Sequence, residues 1–227
     1  RHSNLDFAYG HAVGAGVQEF LKTGDTDLAI LQAFIAWDID IFEANYDSRK
    51  KKSFAHATLA ILKAAEFIEL TELADYELAV INGKPGIEFS FVIDCGNGYY
   101  HRGHIDIILK DKTSGKLAIL ELKTSAFKGL NAPIYYNSDQ ALSYSLVLDY
   151  LFPESSSFDV YYAVYSTPDE CWNLLPVAKT LSQKMEFIQS LLLDHAAITQ
   201  YSTINFYPKR GSSCYNFSRE CKFFMQC

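Results

Sequence analysis

Three ionisable residues interrupt two strongly apolar runs at the centre of this chain, and any fold has to account for them. Asp106 stands within Ile105-Asp106-Ile107-Ile108-Leu109, and Glu121 and Lys123 follow directly on Leu117-Ala118-Ile119-Leu120. The turn sequence Asp111-Lys112-Thr113-Ser114-Gly115 separates the two runs, so they read as the strands of a hairpin. Residues two apart in a strand share a face, which points Glu121 and Lys123 the same way and turns Leu122 into the core. A charge set in such a strand is costly unless it is paired or holds a cation.

The rest of the chain frames this hairpin. Leu5, Ala8, Ala12, Val13, Val17, Phe20 and Leu21 recur at helical spacing over residues 5–22, and Gly24 ends the pattern. Thr26 or Asp27 is expected to cap a second helix running to about Ala44, and a third is expected from about Ser53 to Leu73. The period then changes to two: Ile87, Phe89, Phe91 and Ile93 alternate with Glu88, Ser90 and Val92. The turn Cys95-Gly96-Asn97-Gly98 joins that strand to Tyr99–Leu109, and Lys116–Thr124 completes a three-stranded meander. A loop with Asn131 and Pro133 leads to a helix capped by Asn137 or Ser138 and running to about Leu151. Phe158–Tyr165 reads as a fourth strand and Trp172–Val177 as a fifth, placed at an edge by Pro176. Lys179–Tyr201 reads as a long amphipathic helix, followed by a tail without a clear period. The expectation is an α/β (α+β) domain with a helical first third and a central mixed sheet.

Composition narrows the function classes. An apolar share of 49% over 227 residues supports a packed core and excludes a disordered chain. No apolar run is long enough for a transmembrane helix, and no membrane partner is expected. The chain begins at Arg1 without a methionine and with no signal-peptide pattern, and the helical period starts almost at once, so we expect an N-terminal extension that is missing here. Five cysteines, an odd count, suit a reduced cytoplasmic setting better than a disulfide framework. The net charge of −7 weighs mildly against a nucleic-acid partner. Against that, basic residues group at Arg49-Lys50-Lys51-Lys52, at Lys110, Lys112 and Lys116, at Lys123 and Lys128, and at Lys209-Arg210. Each group by itself reads as a solvated face.

The central residues suit phosphodiester cleavage. Hard cations such as Mg²⁺ or Mn²⁺ prefer carboxylate oxygens, and a bound cation can activate water and stabilise a leaving oxygen. A lysine beside that water can stabilise charge developing on phosphate. A bare Glu-x-Lys carries little information, and its alternative reading is a cross-strand ion pair worth about 1 kcal/mol or less when exposed. The strand setting raises its specificity. So does Gln140-Ala141-Leu142-Ser143-Tyr144, where Gln140 and Tyr144 share a helical face.

Taken together, Gly103-His104-Ile105-Asp106, Glu121-Leu122-Lys123 and Gln140-x-x-x-Tyr144 resemble the PD-(D/E)xK nucleases. The likeness is to the RecB-type branch, which includes the Cas4-like exonucleases. It spans roughly residues 5–227. The resemblance implies a single nuclease domain over 1–227 with a restriction-endonuclease-like core: a helical part over 1–80, a catalytic sheet over 85–177, and a C-terminal helix and cysteine tail over 178–227. It implies catalytic roles for Asp106, Glu121 and Lys123. Metal ligation falls to His11, Asp106, Glu121 and the Leu122 carbonyl, with Lys123 assisting the nucleophilic water. Gln140 and Tyr144 would support the site and contact the DNA backbone, and Glu88 would be a further carboxylate near the metal or an exposed surface residue. His104 reads as structural, and His101 as either a DNA contact or a solvent-facing side chain.

The same resemblance bears on the tail. Cys214, Cys221 and Cys227 crowd the end of a chain otherwise poor in cysteine, and RecB-type nucleases can hold a [4Fe–4S] cluster on three C-terminal cysteines and one near the N-terminus. The expectation is a structural cluster whose fourth thiolate lies upstream of Arg1; a zinc site or three free thiols are the alternatives. The implied activity is a Mg²⁺/Mn²⁺-dependent exonuclease acting on DNA ends or single strands in recombination, repair or phage DNA processing. It would work in a bacterial or phage-infected cell, alongside a recombination or repair partner protein. The rivals are a site-specific endonuclease of the same core, a catalytically silent DNA-binding assembly subunit, and an Fe–S redox sensor.

Overall fold

Helix α1 (Leu5–Thr23) buries Leu5, Ala8, Tyr9, Ala12, Val13, Gly16 and Val17, one stripe at helical spacing. It ends where Gly24 takes φ +68° and donates to the Phe20 carbonyl at 2.7 Å. Asp25 then caps α2 (Thr26–Ala36), its carboxylate accepting from the Asp27 and Leu28 amides at 2.8 and 3.1 Å. Helix α3 (Phe54–Leu70) is capped by Ser53 and buries Ala57, Ala60, Ile61 and Ala64, small residues that let it approach closely. A Cβ on Gly16 would lie 2.4 Å from Ile61 Cδ1, so this crossing of α1 requires glycine.

This computed structural model describes residues 5–39, 51–96, 98–153 and 159–208, with short strands at 215–216 and 219–220. Two compact units emerge, Arg1–Thr180 and Leu181–Cys227.

In the first unit the strands are β1 (Tyr76–Leu78), β2 (Val80–Ile81), β3 (Lys84–Pro85), β4 (Ile87–Gly96), β5 (Tyr99–Asp111), β6 (Leu117–Ser125), β7 (Asp159–Ser166) and β8 (Cys171–Val177). Their order is β1-β5-β6-β7-β8, and β4 also pairs with β5. Strand β5 is long enough to pair with β4 from Tyr99 to Ile107 and with β1 from Leu109 to Asp111 along one edge. The small β2–β3 hairpin leaves the sheet between them. Strands β4, β5 and β6 are the expected antiparallel meander. Strand β7 runs parallel to β6, and β8 closes the edge antiparallel to β7. The β6–β7 crossover carries α4 (Ala132–Tyr136) and α5 (Asp139–Leu151), as a parallel connection requires.

Helices pack on both faces of this sheet. On the face toward α1 and α3, Ile107, Leu109, Ala118, Leu120, Ala163 and Tyr165 meet Tyr9, Val13, Ala60 and Ala64. On the other, Ile108, Ile119, Val160, Tyr162 and Val164 meet Ala141, Tyr144, Val147 and Leu148 of α5. Strand β7 is buried on both faces, which explains its unbroken apolar and tyrosine-rich sequence. Trp172 anchors the edge by donating its indole N–H to the Ala60 carbonyl at 2.8 Å. The architecture is therefore the mixed α/β one expected, with a helical N-terminal region.

Several local expectations need correction. Helix α2 stops at Ala36, not near Ala44, because Trp37 takes an extended backbone and turns its ring edge-on to Phe54, with centroids 5.8 Å apart. Residues 40–50 lie outside the described ones. Helix α3 ends at Leu70, and a 3₁₀ turn (Glu72–Asp75) follows that drives Leu73 into the core. Strand β1 arises from a stretch given no element in the sequence reading, and helix α4 from one read as loop.

The second unit contains α6 (Leu181–Ile204) and an antiparallel pair, β9 (Tyr215–Asn216) with β10 (Arg219–Glu220). The chain after α6 folds back on it: Phe206 donates its N–H to the Tyr201 carbonyl at 3.0 Å, and the Tyr207 ring packs edge-on to Tyr201. No helix among the described residues is long and apolar enough to cross a membrane.

Candidate active site

The β5–β6 ladder ends at the pair Ile107↔Leu120. One step further, Asp106 and Glu121 face each other where the strands part. Asp106 Oδ2 accepts the Leu122 N–H at 3.2 Å, a side chain standing in for the missing backbone partner. The alternation of β5 also slips here. Ile105 joins the core on the α5 face, whereas Ile107 joins the opposite one. At the same level of β4, Glu88 takes φ +47°, a left-handed conformation costly for a non-glycine residue and often found at working sites. The irregularity aims Asp106 toward β6 instead of leaving it on a regular face.

Gly103 contributes from the same strand. It pairs with Phe91, and a Cβ there would lie 2.8 Å from Phe91 Cζ. The absent side chain admits the Phe91 ring, which in turn packs edge-on to Tyr144.

Glu121 is 1% exposed. Its Oε1 accepts from Lys123 Nζ at 2.5 Å and from Gln140 Nε2 at 2.8 Å, and Gln140 Nε2 also reaches the Tyr144 hydroxyl at 2.8 Å. Oε2 has no hydrogen-bond partner. Helix α5 delivers Gln140 and Tyr144 because Ser138 fixes its first turn: Ser138 Oγ accepts from the Gln140 amide at 3.2 Å and from the Tyr162 hydroxyl at 3.0 Å. Gln140 and Tyr144 thus turn inward to Glu121, and Tyr144 is buried.

The electrostatics follow from burial. Desolvation and then the charge of Asp106 push the Glu121 carboxyl up to about 7, against the opposing pull of Lys123 and Gln140. Burial also raises Asp106, while the Leu122 N–H and the Lys123 charge hold it down. Glu88 adds repulsion on Asp106 and is itself exposed, with Gln18 Nε2 donating to its Oε1 at 2.8 Å.

His11 is exposed on α1 and lines a cleft of about 530 Å³ together with Lys123, so it faces the lysine side of the site. Among the described residues no three His, Cys, Asp or Glu side chains stand close enough to hold a metal ion together, so His11 does not close a ligand set with the two carboxylates. His101 is half-buried against Phe91 and bonded to Ser143 Oγ at 2.7 Å, and burial lowers its pKa. His104 is exposed and pairs with Ser90 Oγ at 2.9 Å. Of the basic run, Lys51 is tied to Glu170 at 2.8 Å, and Lys52, 3% exposed, to Asp6 at 2.6 Å beside the cleft. Arg49, Lys50, Lys209 and Arg210 lie outside the described residues, as do Cys214, Cys221 and Cys227, so the expected cluster ligands have no described geometry. Cys95 and Cys171 are exposed free thiols. Sequence reading missed Asp6, Phe7 and Thr124, which line the cleft beside Lys123; no periodicity or motif singles them out as site residues.

The sequence matches no family model and no curated protein. In structure it is similar to "Putative exonuclease" from Eubacterium rectale, with a TM-score of 0.53 at 12% identity over 100% of this chain and 75% of that one. At that identity the likeness shows a shared fold. A second solved structure, SSO0001, covers 96% of this chain and 84% of its own at 15% identity, with a TM-score of 0.37 that supports no argument.

Proposed function

We propose that the chain is a divalent-cation-dependent DNA nuclease that attacks DNA from an end. The observation that carries this reading is Glu121: an ionisable side chain, 1% exposed, opposite Asp106, with one carboxylate oxygen lacking any partner. A buried carboxylate facing a half-buried one destabilises the fold when both are ionised, unless a cation sits between them. The donor set fits Mg²⁺ or Mn²⁺. Mg²⁺ keeps several waters and typically takes one or two protein carboxylates plus substrate phosphate, so an open pair suits it better than a closed cage. Asp106 and Glu121 would hold the ion, with the Leu122 carbonyl as a further ligand. When bound, it would lower the pKa of water and neutralise charge on phosphate.

The protein's own groups have separate tasks. Gln140, pinned by Ser138 and Tyr144, orients Glu121 through its amide. Lys123 keeps its amine beside the carboxylate pair, where it can stabilise charge developing on a phosphate oxygen. DNA as substrate and attack from an end rest on the RecB-type resemblance, with the fold shared with the Eubacterium rectale protein as background.

Digestion of end-labelled linear and circular DNA in Mn²⁺ tests the proposal, with Glu121→Gln as control. Loss of nucleotides from linear DNA, intact circles and an inert variant are expected. Cleaved circles would move the reading to an endonuclease. Undigested DNA of every form, or an active variant, would refute it.

A further inference from the structure

Helix α2 carries its large apolar side chains on the outside. Its buried residues are Ala29 and Ala33, packed with Ile61 of α3. That inner face has to be small: a Cβ on Gly16 of α1 would already lie 3.1 Å from the Ala29 carbonyl oxygen, so the two helices cross closely. Leu28, Leu31 and Ile35 follow at i, i+3 and i+7 with Phe34 beside them, and in that order they are 44%, 52%, 67% and 59% exposed. Local preference gives no reason for them, because phenylalanine and isoleucine form helix less readily than the lysine, glutamate or glutamine that suit a wet face. Residues 28–37 hold no charged side chain, whereas Asp25, Asp27 and Asp38 stand at the two ends of the stretch. The Phe34 ring is fixed by an edge-on contact with Phe54, centroids 5.5 Å apart.

We propose that this outer face of α2 is the contact between two copies of the chain, related by a two-fold axis that passes close to Leu31. The area favours a second copy. Four side chains of about 200 Å² each, exposed to these fractions, present roughly 400 Å² of apolar surface, within the range of the largest patch an ordinary monomer leaves in water. A two-fold pair is self-complementary, so this one face serves both sides. Pairing removes roughly 800 Å² of it from water, which leaves about 400 Å² for the polar rim to supply before the lower bound of specific interfaces is reached. A charge-free centre with charged residues at its margin is the layout of such a contact. The marginal aspartates repel their counterparts, so salt should tighten the pair. A foreign partner that recognised those aspartates would carry lysine or arginine, and salt would release it. The inference does not rest on the nuclease reading, since it uses no residue of the carboxylate site.

Sedimentation velocity of the full chain from about 1 to 100 µM tests this. A particle of twice the chain mass should form in that range and persist in about 1 M salt. Leu31→Glu sets a charge at the centre of the face but keeps a good helix former on an exposed position, so the chain should stay folded by circular dichroism while self-association weakens at least about a hundredfold. Leu31→Ala, gentler still on the helix, should weaken it about tenfold. Val80→Glu changes another exposed apolar side chain, on β2, and should leave association unchanged. A chain that is monomeric throughout the range overturns the proposal. So does an assembly whose mass Leu31→Glu fails to halve, or one that Val80→Glu disrupts equally. An assembly that salt dissolves is held by charged surfaces elsewhere, and overturns it too.

Discussion

Replacing Glu121 by glutamine should make the metal-free protein more stable at alkaline pH, although it destroys the site. The folded-state pKa of Glu121 is raised from 4.5 to about 7 by burial and by Asp106. At 1.36 kcal/mol per pH unit, that rise makes ionised Glu121 cost about 3 kcal/mol of folding free energy. The sign is that of a raised carboxyl. Between pH 4.5 and about 7 the native state binds more protons than the unfolded state. The stability this group contributes is therefore full below 4.5 and is lost as pH climbs through 7. Glutamine keeps the shape and an oxygen for Gln140 and Lys123 but carries no charge. In EDTA, Glu121→Gln should exceed wild type by up to about 3 kcal/mol at pH 8 and by little at pH 5. Urea unfolding followed by tryptophan fluorescence measures this directly, because both tryptophans, Trp37 and Trp172, lie in the Arg1–Thr180 unit. Saturating Mg²⁺ should reverse the order at pH 8, since a ligand at a thousand times its Kd adds about 4.1 kcal/mol to the form that binds it. A variant less stable than wild type at pH 8 in EDTA, or a difference that does not change between pH 5 and pH 8, would show the burial argument to be wrong.

Other outcomes follow from the same geometry. Cleavage and Mg²⁺ affinity should both fall as pH drops below about 7, because the cation must displace the proton that Glu121 then carries; isothermal titration at pH 6 and pH 8 checks this. Lys123→Met should slow cleavage by about a hundredfold, as loss of one charge-stabilising donor does, while Mn²⁺ binding measured by electron paramagnetic resonance survives. Ser138→Ala removes both the α5 cap and the acceptor for the Tyr162 hydroxyl, and should cost about 1–2 kcal/mol in urea unfolding. Gly16→Ala should destabilise by about 1–3 kcal/mol against Ile61, whereas Gly14→Ala two residues earlier should be neutral or stabilising.

The sequence by itself determined what depends on near neighbours along the chain. Helical spacing placed α1. The Asp111 turn placed the β5–β6 hairpin, and its carboxylate does accept the Thr113 and Ser114 amides at 3.0 and 2.5 Å. The two-residue period put Glu121 and Lys123 on one face, where they bond, and the four-residue period did the same for Gln140 and Tyr144. Tertiary structure decided the rest, because those contacts join residues far apart in sequence. The parallel pairing of β6 with β7, the shared edge of β5, and the end of α2 at Trp37 each depend on which surfaces a distant segment covers. So does the site's depth. Glu121 becomes buried opposite a half-buried Asp106 because α5 closes over one face and the face alternation of β5 breaks opposite Glu88, and no local pattern encodes a burial that comes from elsewhere in the chain.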